Sequence, residues 1–270
     1  MKQKITQFFP WRNTFRTSET DAGALRRMLT ALHPQNTTTN LIRVGPSGDG
    51  GYLIPDDLDG LVACFSPGVS DISGFEVQCA ERGMEVFMAD ASVAGPAEQH
   101  PRFHFVKKFL AAVADEQCLT LDDWVSTSLP EHSTDLLLQM DIEGFEYEVL
   151  LAASDQLMQR FRILVVEFHT LDQLWNRPWF DFASSVLRKI LRTHICVHAH
   201  PNNFYPVQKR RGLEIPPLLE LTFYRKDRAK VTDFATQFPH PLDGDNTGRP
   251  HMPLPACLFS PGRWPPCTNR

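Results

Sequence analysis

The sequence has no C-x-x-C pair, no excess of basic charge, no internal repeat, and no apolar run long enough for a signal peptide or a membrane span. Each absence removes a class of function. Its six cysteines (Cys64, Cys79, Cys118, Cys196, Cys257 and Cys267) are scattered without zinc-type spacing, so reduced, mostly buried thiols are expected. A net charge of -5 and a pI near 6.0 offer no basic field to hold phosphate backbones, and nucleic acid is not an expected partner. The segment Met1 to Trp11 carries Lys2 and Lys4 but lacks the apolar core of a secretory signal, so a cytoplasmic protein with no membrane span is expected.

What is present is ordinary globular material, with 42% hydrophobic and 22% charged residues in a chain of 270, enough for one substantial core. Residues 1–40 read as an N-terminal helical extension, because Ser18 and Thr20 can cap a segment whose Leu25, Met28, Leu29 and Leu32 recur at helical spacing. From residue 41 to 237, short apolar runs alternate with helical patterns, which predicts an α/β domain built on a mostly parallel sheet. The predicted strands are Leu61–Phe65, Glu85–Ala89, Phe103–Lys107, Asp135–Met140, Ile163–Phe168, Ile195–His200 and Leu218–Tyr224. Predicted helices fill Gly74–Arg82, Glu146–Arg160 and Trp179–Thr193. Because Leu213–Tyr224 follows His200 without a helix between them, the last strand of this seven-stranded sheet is expected to run antiparallel, with helices on both faces. Residues 238–270 are crowded with proline and predict an irregular tail.

Polar residues with chemical potential gather at the predicted strand ends. The first turn, Ser66-Pro67-Gly68-Val69-Ser70-Asp71, is followed by a helix bearing Glu76. It lacks the G-x-G-x-x-G pattern, and its acids oppose a pyrophosphate. A cationic cofactor fits better, and S-adenosylmethionine carries both a sulfonium and an ammonium. Asp90 ends the second strand, where an acid accepts hydrogen bonds from ribose hydroxyls in nucleotide-binding sheets. Asp49 belongs to a Gly-rich loop, Gly48 to Gly51, whose backbone can approach cofactor or acceptor closely. The candidate cofactor residues are therefore Ser66, Gly68, Asp71, Glu76, Asp90 and Asp49.

The fourth strand is the most telling, because Leu136, Leu137 and Leu138 form a buried run that ends in Asp141 and Glu143. Side chains alternate along a strand, so these two acids share a face if the chain stays extended. The same spacing recurs for Glu167 with His169 and for His198 with His200, and three such strand ends would open into one crevice. A carboxylate or imidazole there can take the proton of an alcohol, or the set can bind a divalent cation that lowers the alcohol's pKa. Asp141, Glu143, His169 and His200 are the candidate catalytic residues. Asp141, Glu167 and His198 are the candidate ligands of manganese or magnesium, the cations that a mixed oxygen and nitrogen set suits. Trp175, Trp179, Phe204 and Tyr205 fall near the expected mouth of the crevice, either as faces on which an acceptor ring can stack or as ordinary core aromatics.

The run Asp141-Ile142-Glu143-Gly144-Phe145-Glu146-Tyr147-Glu148-Val149-Leu150 resembles the D-x-E-G-x-E-x-x-x-L signature of FkbM-type methyltransferases. The resemblance extends from Arg43 to about Tyr224 through Gly48-Asp49-Gly50-Gly51-Tyr52, Asp71 with Phe75-Glu76, Leu119 to Asp123, and Glu220 to Tyr224. It implies a class I Rossmann-like fold and methylation of hydroxyl groups, often on sugars or on polyketide-like metabolites. Carried over, Gly68, Asp71, Glu76 and Asp90 would hold the cofactor, with Asp141 at its methyl end. The first turn departs from the family by reading Ser-Pro-Gly. The expected activity is thus S-adenosylmethionine-dependent O-methylation of a carbohydrate, such as a bacterial polysaccharide or glycoconjugate. A small secondary metabolite as acceptor and a catalytically silent binding module are the alternatives, and a homo-oligomer is compatible with all of them.

Overall fold

The computed structural model describes residues 17–130 and 135–259. The Lys2 and Lys4 segment, Cys267 and the last prolines lie outside the described residues. Seven strands form the central sheet: β1 (Ala63–Pro67), β2 (Glu85–Ala89), β3 (Phe103–Val106), β4 (Leu136–Met140), β5 (Phe161–Phe168), β6 (His194–Pro201) and β7 (Leu219–Arg225). Their order across the sheet is β6-β7-β5-β4-β1-β2-β3. Strands β3, β2, β1, β4 and β5 pair in parallel, and β7 runs antiparallel to both β5 and β6. This is the class I methyltransferase plan, a Rossmann-like sheet with one reversed strand. β4 is buried along its whole length, as a central parallel strand covered on both faces must be.

The two faces are covered differently. Helices α1 (Ala22–Ala31), α3 (Leu121–Ser128), α4 (Glu146–Ala152), α5 (Asp155–Arg160) and α6 (Arg177–Thr193) pack into one apolar cluster with Leu136, Leu138, Leu164 and Val166. On the other face, α2 (Gly74–Glu81) shares its cover with an antiparallel hairpin, Leu41–Val44 with Tyr52–Pro55. Helices on both faces were expected; here a hairpin takes part of one face. Thr222 Oγ1 of β7 donates to Leu53 O at 2.7 Å, which ties that hairpin to the sheet.

Several predicted boundaries move, each for a local reason. The first strand runs Ala63–Pro67 instead of Leu61–Phe65, because its pairing with β2 continues to Pro67 opposite Ala89. Asp135 does not join β4: its φ is 63°, and its carboxylate is drawn to Arg225 at 2.7 Å and Arg162 at 3.3 Å. The single helix expected over Glu146–Arg160 is two helices. Ser154 accepts from Leu157 N at 3.0 Å and so caps α5, while Lys189 Nζ donates to Leu150 O and Leu151 O at 2.9 and 2.7 Å at the end of α4. α6 begins two residues early at Arg177, with Pro178 in its first turn.

The described parts of both terminal regions pack onto the domain. Gln35–Thr37 pairs antiparallel with Val231–Phe234. Leu254, Cys257 and Leu258 of the tail bury against α1 in the main core, and a short 3-10 turn covers Ala256–Leu258. Among the described residues, no helix is long and apolar enough to cross a membrane.

Candidate active site

β4 stops at Met140, and the next residues turn sharply instead of staying extended: φ is 56° at Glu143 and 104° at Gly144. Asp141 and Glu143 therefore meet through a turn, not through strand alternation. The turn is held by Glu146, the fully buried first residue of α4. Its Oε1 accepts from Ile142 N at 3.1 Å and Gly144 N at 3.0 Å, and it lies 3.0 Å from His169 Nδ1. His169 follows the end of β5, and Tyr147 Oη donates to its carbonyl at 2.9 Å. With Nδ1 committed to Glu146, His169 Nε2 faces Glu143 at 3.5 Å and Asp141 at 3.8 Å.

The electrostatics follow from this packing. Burial alone would lower the pKa of His169, but the hydrogen bond and charge of Glu146, with the charges of Asp141 and Glu143, leave it raised. Burial pushes the Asp141 carboxyl up to about 7; the charge of His169 opposes this, and Glu143 and Glu146 add to it. Asp141, Glu143 and His169 each present a ligand-type atom, all within 4.8 Å of one another.

A pocket opens beside Asp141, lined by Gly68 and Asp90 and by the apolar side chains of Phe109, Leu110, Ile142 and Phe145. Gly68 has φ 89°, and a Cβ on it would sit 1.6 Å from Asp141 O, so only glycine lets the first turn close onto the Asp141 turn. Asp90 braces this turn from the other side. Its Oδ2 accepts from Val69 N at 3.0 Å, and its Oδ1 accepts from Ser92 N and Ser92 Oγ at 2.6 Å each. A backbone cradle, a carboxylate and an apolar wall fit an adenosine cofactor without phosphate.

The other predicted cofactor residues lie apart from that pocket's lining. Ser66 Oγ is 2.5 Å from both Glu76 Oε1 and Gln139 Oε1, and Gln139 Nε2 donates to Tyr52 Oη at 3.2 Å. One hydroxyl proton serves only one acceptor. Burial raises the pKa of Glu76, against the Ser66 bond that lowers it. Ser66 and Glu76 thus form a braced layer under the turn. Asp71 is exposed on the turn itself. Asp49 meets the tail instead, accepting from Asn246 Nδ2 at 3.1 Å.

The third strand end is also separate. Because β7 lies between β5 and β6, His198 and His200 are one strand removed from His169. The tail closes over them: His198 Nε2 is 2.9 Å from Asp243 Oδ1, and His200 Nδ1 is 3.7 Å from Asp243 Oδ2, with all three side chains buried. Burial would raise the pKa of Asp243, but its bonds to His198 and His200 hold it well below the usual carboxylate range. His200 is raised by the same partner and by Glu220, against burial. Glu167 and Glu220 face each other across β5 and β7. Glu167 accepts from Asn202 Nδ2 at 2.9 Å and Glu220 from Asn246 Nδ2 at 2.6 Å, and burial raises the pKa of both. The predicted ligand set Asp141, Glu167 and His198 is therefore not assembled, since His198 is bonded to Asp243; the grouped set is Asp141, Glu143 and His169. Phe204 and Tyr205 lie against each other, with Arg249 of the tail over Phe204 at 4.4 Å.

Three participants escaped the sequence reading. Glu146 is not among the candidates drawn from the sequence, although its place in the D-x-E-G-x-E run is a usable signal. Asp243 and Asn246 sit in a proline-crowded tail where no periodicity marks them.

Comparison with known proteins bears on the fold and the family. No curated protein matches the chain. Among solved structures, magnesium protoporphyrin IX methyltransferase from Synechocystis PCC 6803, with bound SAM, is similar at 15% identity and a TM-score of 0.34 over 63% of this chain and 72% of that one. The 23S rRNA methyltransferase ErmE is similar at 10% identity and a TM-score of 0.36, over 78% of this chain and 71% of its own. Family membership rests on neither of these remote likenesses. The model of the methyltransferase FkbM domain matches residues 71–208, just over half of the chain and all of β2 to β6 with the Asp141 and His169 turn, and the chain belongs to the FkbM family of S-adenosylmethionine-dependent methyltransferases.

Proposed function

We propose that this methyltransferase methylates a hydroxyl group of a carbohydrate, a polysaccharide or glycoconjugate precursor met in the cytoplasm, with His169 as the base. The observation that carries this reading is the buried Glu146 carboxylate 3.0 Å from His169 Nδ1. It selects the tautomer with the proton on Nδ1, so the Nε2 lone pair faces Asp141 and Glu143, which line the pocket. Gly68 and Asp90 would hold the cofactor, and Asp141 would lie toward its methyl end. S-adenosylmethionine, when bound, supplies a methyl group already activated by the sulfonium. The chain's own residues must align the acceptor oxygen and remove its proton. Nε2 takes that proton, and Glu146, Asp141 and Glu143 stabilise the resulting imidazolium.

The grouping of Asp141, Glu143 and His169 within 4.8 Å favours a second reading, in which they ligate manganese or magnesium. The cation would lower the pKa of the acceptor hydroxyl, and Glu146 would orient the ligating histidine. Calorimetry should detect S-adenosylmethionine binding to the purified protein; a folded protein that binds none sinks the proposal. Asp141→Ala should abolish turnover, and unchanged turnover would place the site elsewhere. Activity that falls in chelator and returns with manganese or magnesium selects the metal reading, and full activity in chelator selects the base.

A further inference from the structure

Past the pairing of Val231–Phe234, residues 235–255 contain no helix or strand. Irregular stretches of that length inside a domain are commonly lids or binding loops. Apolar contacts fix the two ends of this one. Phe238 packs on the main core with its ring 5.1 Å from that of Phe259, and Leu254, Cys257 and Leu258 are buried in the same core. The ends therefore stay together whatever the chain between them does.

The middle is held differently. Leu242 is 43% exposed, and what ties residues 242–249 to the domain is a set of hydrogen bonds and ion pairs. Asp243 meets His198 and His200, Asn246 donates to Asp49 and Glu220, and Arg43 Nη1 donates to Leu242 O at 3.2 Å. Asn203 Oδ1 accepts from Thr247 N at 2.9 Å and from Thr247 Oγ1 at 3.1 Å. Such bonds exchange for bonds to water, and a segment with little buried apolar surface opens more easily than a core.

Beneath this strap the strand ends carry a buried polar row. Glu220 of β7 is paired with His200 of β6 on one side and with Glu167 of β5 on the other. Residues opposite one another on neighbouring strands share a face, here the hairpin side to which Ile163, Val165 and Tyr224 also point. Val166 is level with Met140, so the row ends beside Asp141. Open α/β sheets bind ligands in this crevice outside the strand ends, and here the strap fills it. The cover leaves His200 Nε2 and Asn246 Oδ1 buried with no hydrogen-bond partner among the described residues, which is rare in a native interior. No ligand reaches the row until the strap lifts.

We propose that the strap is a lid, hinged at its two apolar ends, which lifts to admit the acceptor to a subsite formed by Glu167, Glu220 and Asn202 beside Asp141. This rests on the carbohydrate reading above and deepens it. Carboxylates accept from sugar hydroxyls, whereas an anionic acceptor would meet two acids. Asn246 Nδ2, 2.6 Å from Glu220, holds the place that a hydroxyl donor takes when the strap is open.

The test uses the full-length protein saturated with S-adenosylhomocysteine. In hydrogen exchange, amides of residues 240–250 should be protected at least about tenfold less than those of β7. Equal protection means that the strap opens only with global unfolding, and overturns the lid. Asn203→Cys with Thr247→Cys, whose side chains face each other, can then staple the strap shut, with thiol titration confirming the disulfide. Saturation-transfer NMR with mono- and trisaccharides of glucose, galactose, mannose and N-acetylglucosamine reads acceptor binding. The oxidised form should bind at least about tenfold more weakly than wild type, and dithiothreitol should restore binding. Equal binding by the oxidised and reduced forms overturns the lid while the carbohydrate reading stands. Should the disulfide not form, Asp243→Ala releases the strap instead and should tighten saccharide binding about tenfold; unchanged affinity overturns the lid. Binding of none of these saccharides, even by Asp243→Ala, sinks the carbohydrate reading and the subsite with it.

Discussion

At the rim of the sheet, His169 and the pair His198 and His200 are surrounded by the same residue types but differ in what covers them. His169 is bonded behind to Glu146, and its Nε2 faces exposed Glu143, which lines the pocket. His198 and His200 look outward in the same way, but Asp243 of the tail has closed over them, and all three side chains are buried. One cluster keeps unspent chemistry at a solvent edge; the other spends it on holding a strap. Residue type alone does not make a site, because His198 has its Nε2 bonded to Asp243 and His200 is buried beneath the same carboxylate.

That contrast can be broken most sharply at His169. His169→Ala should lower kcat by about 10²- to 10⁴-fold, the usual contribution of a positioned base, with S-adenosylmethionine affinity retained. An equal loss in His200→Ala would erase the division between the clusters. Next in size is the strap: Asp243→Ala strands two buried histidines and should cost about 3 kcal/mol in chemical denaturation, with turnover changed far less. Glu146→Gln should lower kcat by about 10- to 100-fold, as expected for a group that orients another. It should also shift the acidic limb of the pH–rate profile downward, because the carboxylate is what raises His169.

The pH dependence separates the clusters with opposite signs. As a base, His169 must be deprotonated, so kcat should rise with pH through a value above about 6.5. For the strap, Asp243 is depressed, so its contribution is present above about pH 4 and lost as pH falls through its folded value. His200 is raised, so its contribution is complete below about pH 6.5 and lost as pH rises through its folded value. Protection of the amides of residues 240–250, measured as exchange relative to its intrinsic rate at each pH, should therefore be greatest between those limits, and protection that stays flat with pH would separate the strap from these ionisations. The smallest effect is expected at Asp71: its exposed carboxylate is screened by water and salt, and Asp71→Asn should change S-adenosylmethionine affinity by less than about threefold.

Local physics made the sheet readable. The Leu136–Leu138 run, the β-branched stretch ahead of Glu167 and the glycine at 68 each announce a buried strand or a tight turn within a few residues of chain. The reversed last strand was legible too, since no helix separates His200 from Leu213. The break between α4 and α5 was not, because Ser154 caps α5 while Lys189, from a distant helix, holds the carbonyls of α4.

The sequence by itself determined where the strands lie, the acidic first turn and the Asp141 signature, because strand periodicity and turn chemistry act over neighbouring residues. Only the tertiary structure decided which strand ends share a site. Inserting β7 between β5 and β6 moves His198 and His200 one strand away from His169, and the tail brings Asp243 onto them from more than forty residues along the chain. Glu146 and His169, 23 positions apart, become partners for the same reason: adjacent parallel strands deliver their ends to one rim, whatever length of chain lies between them.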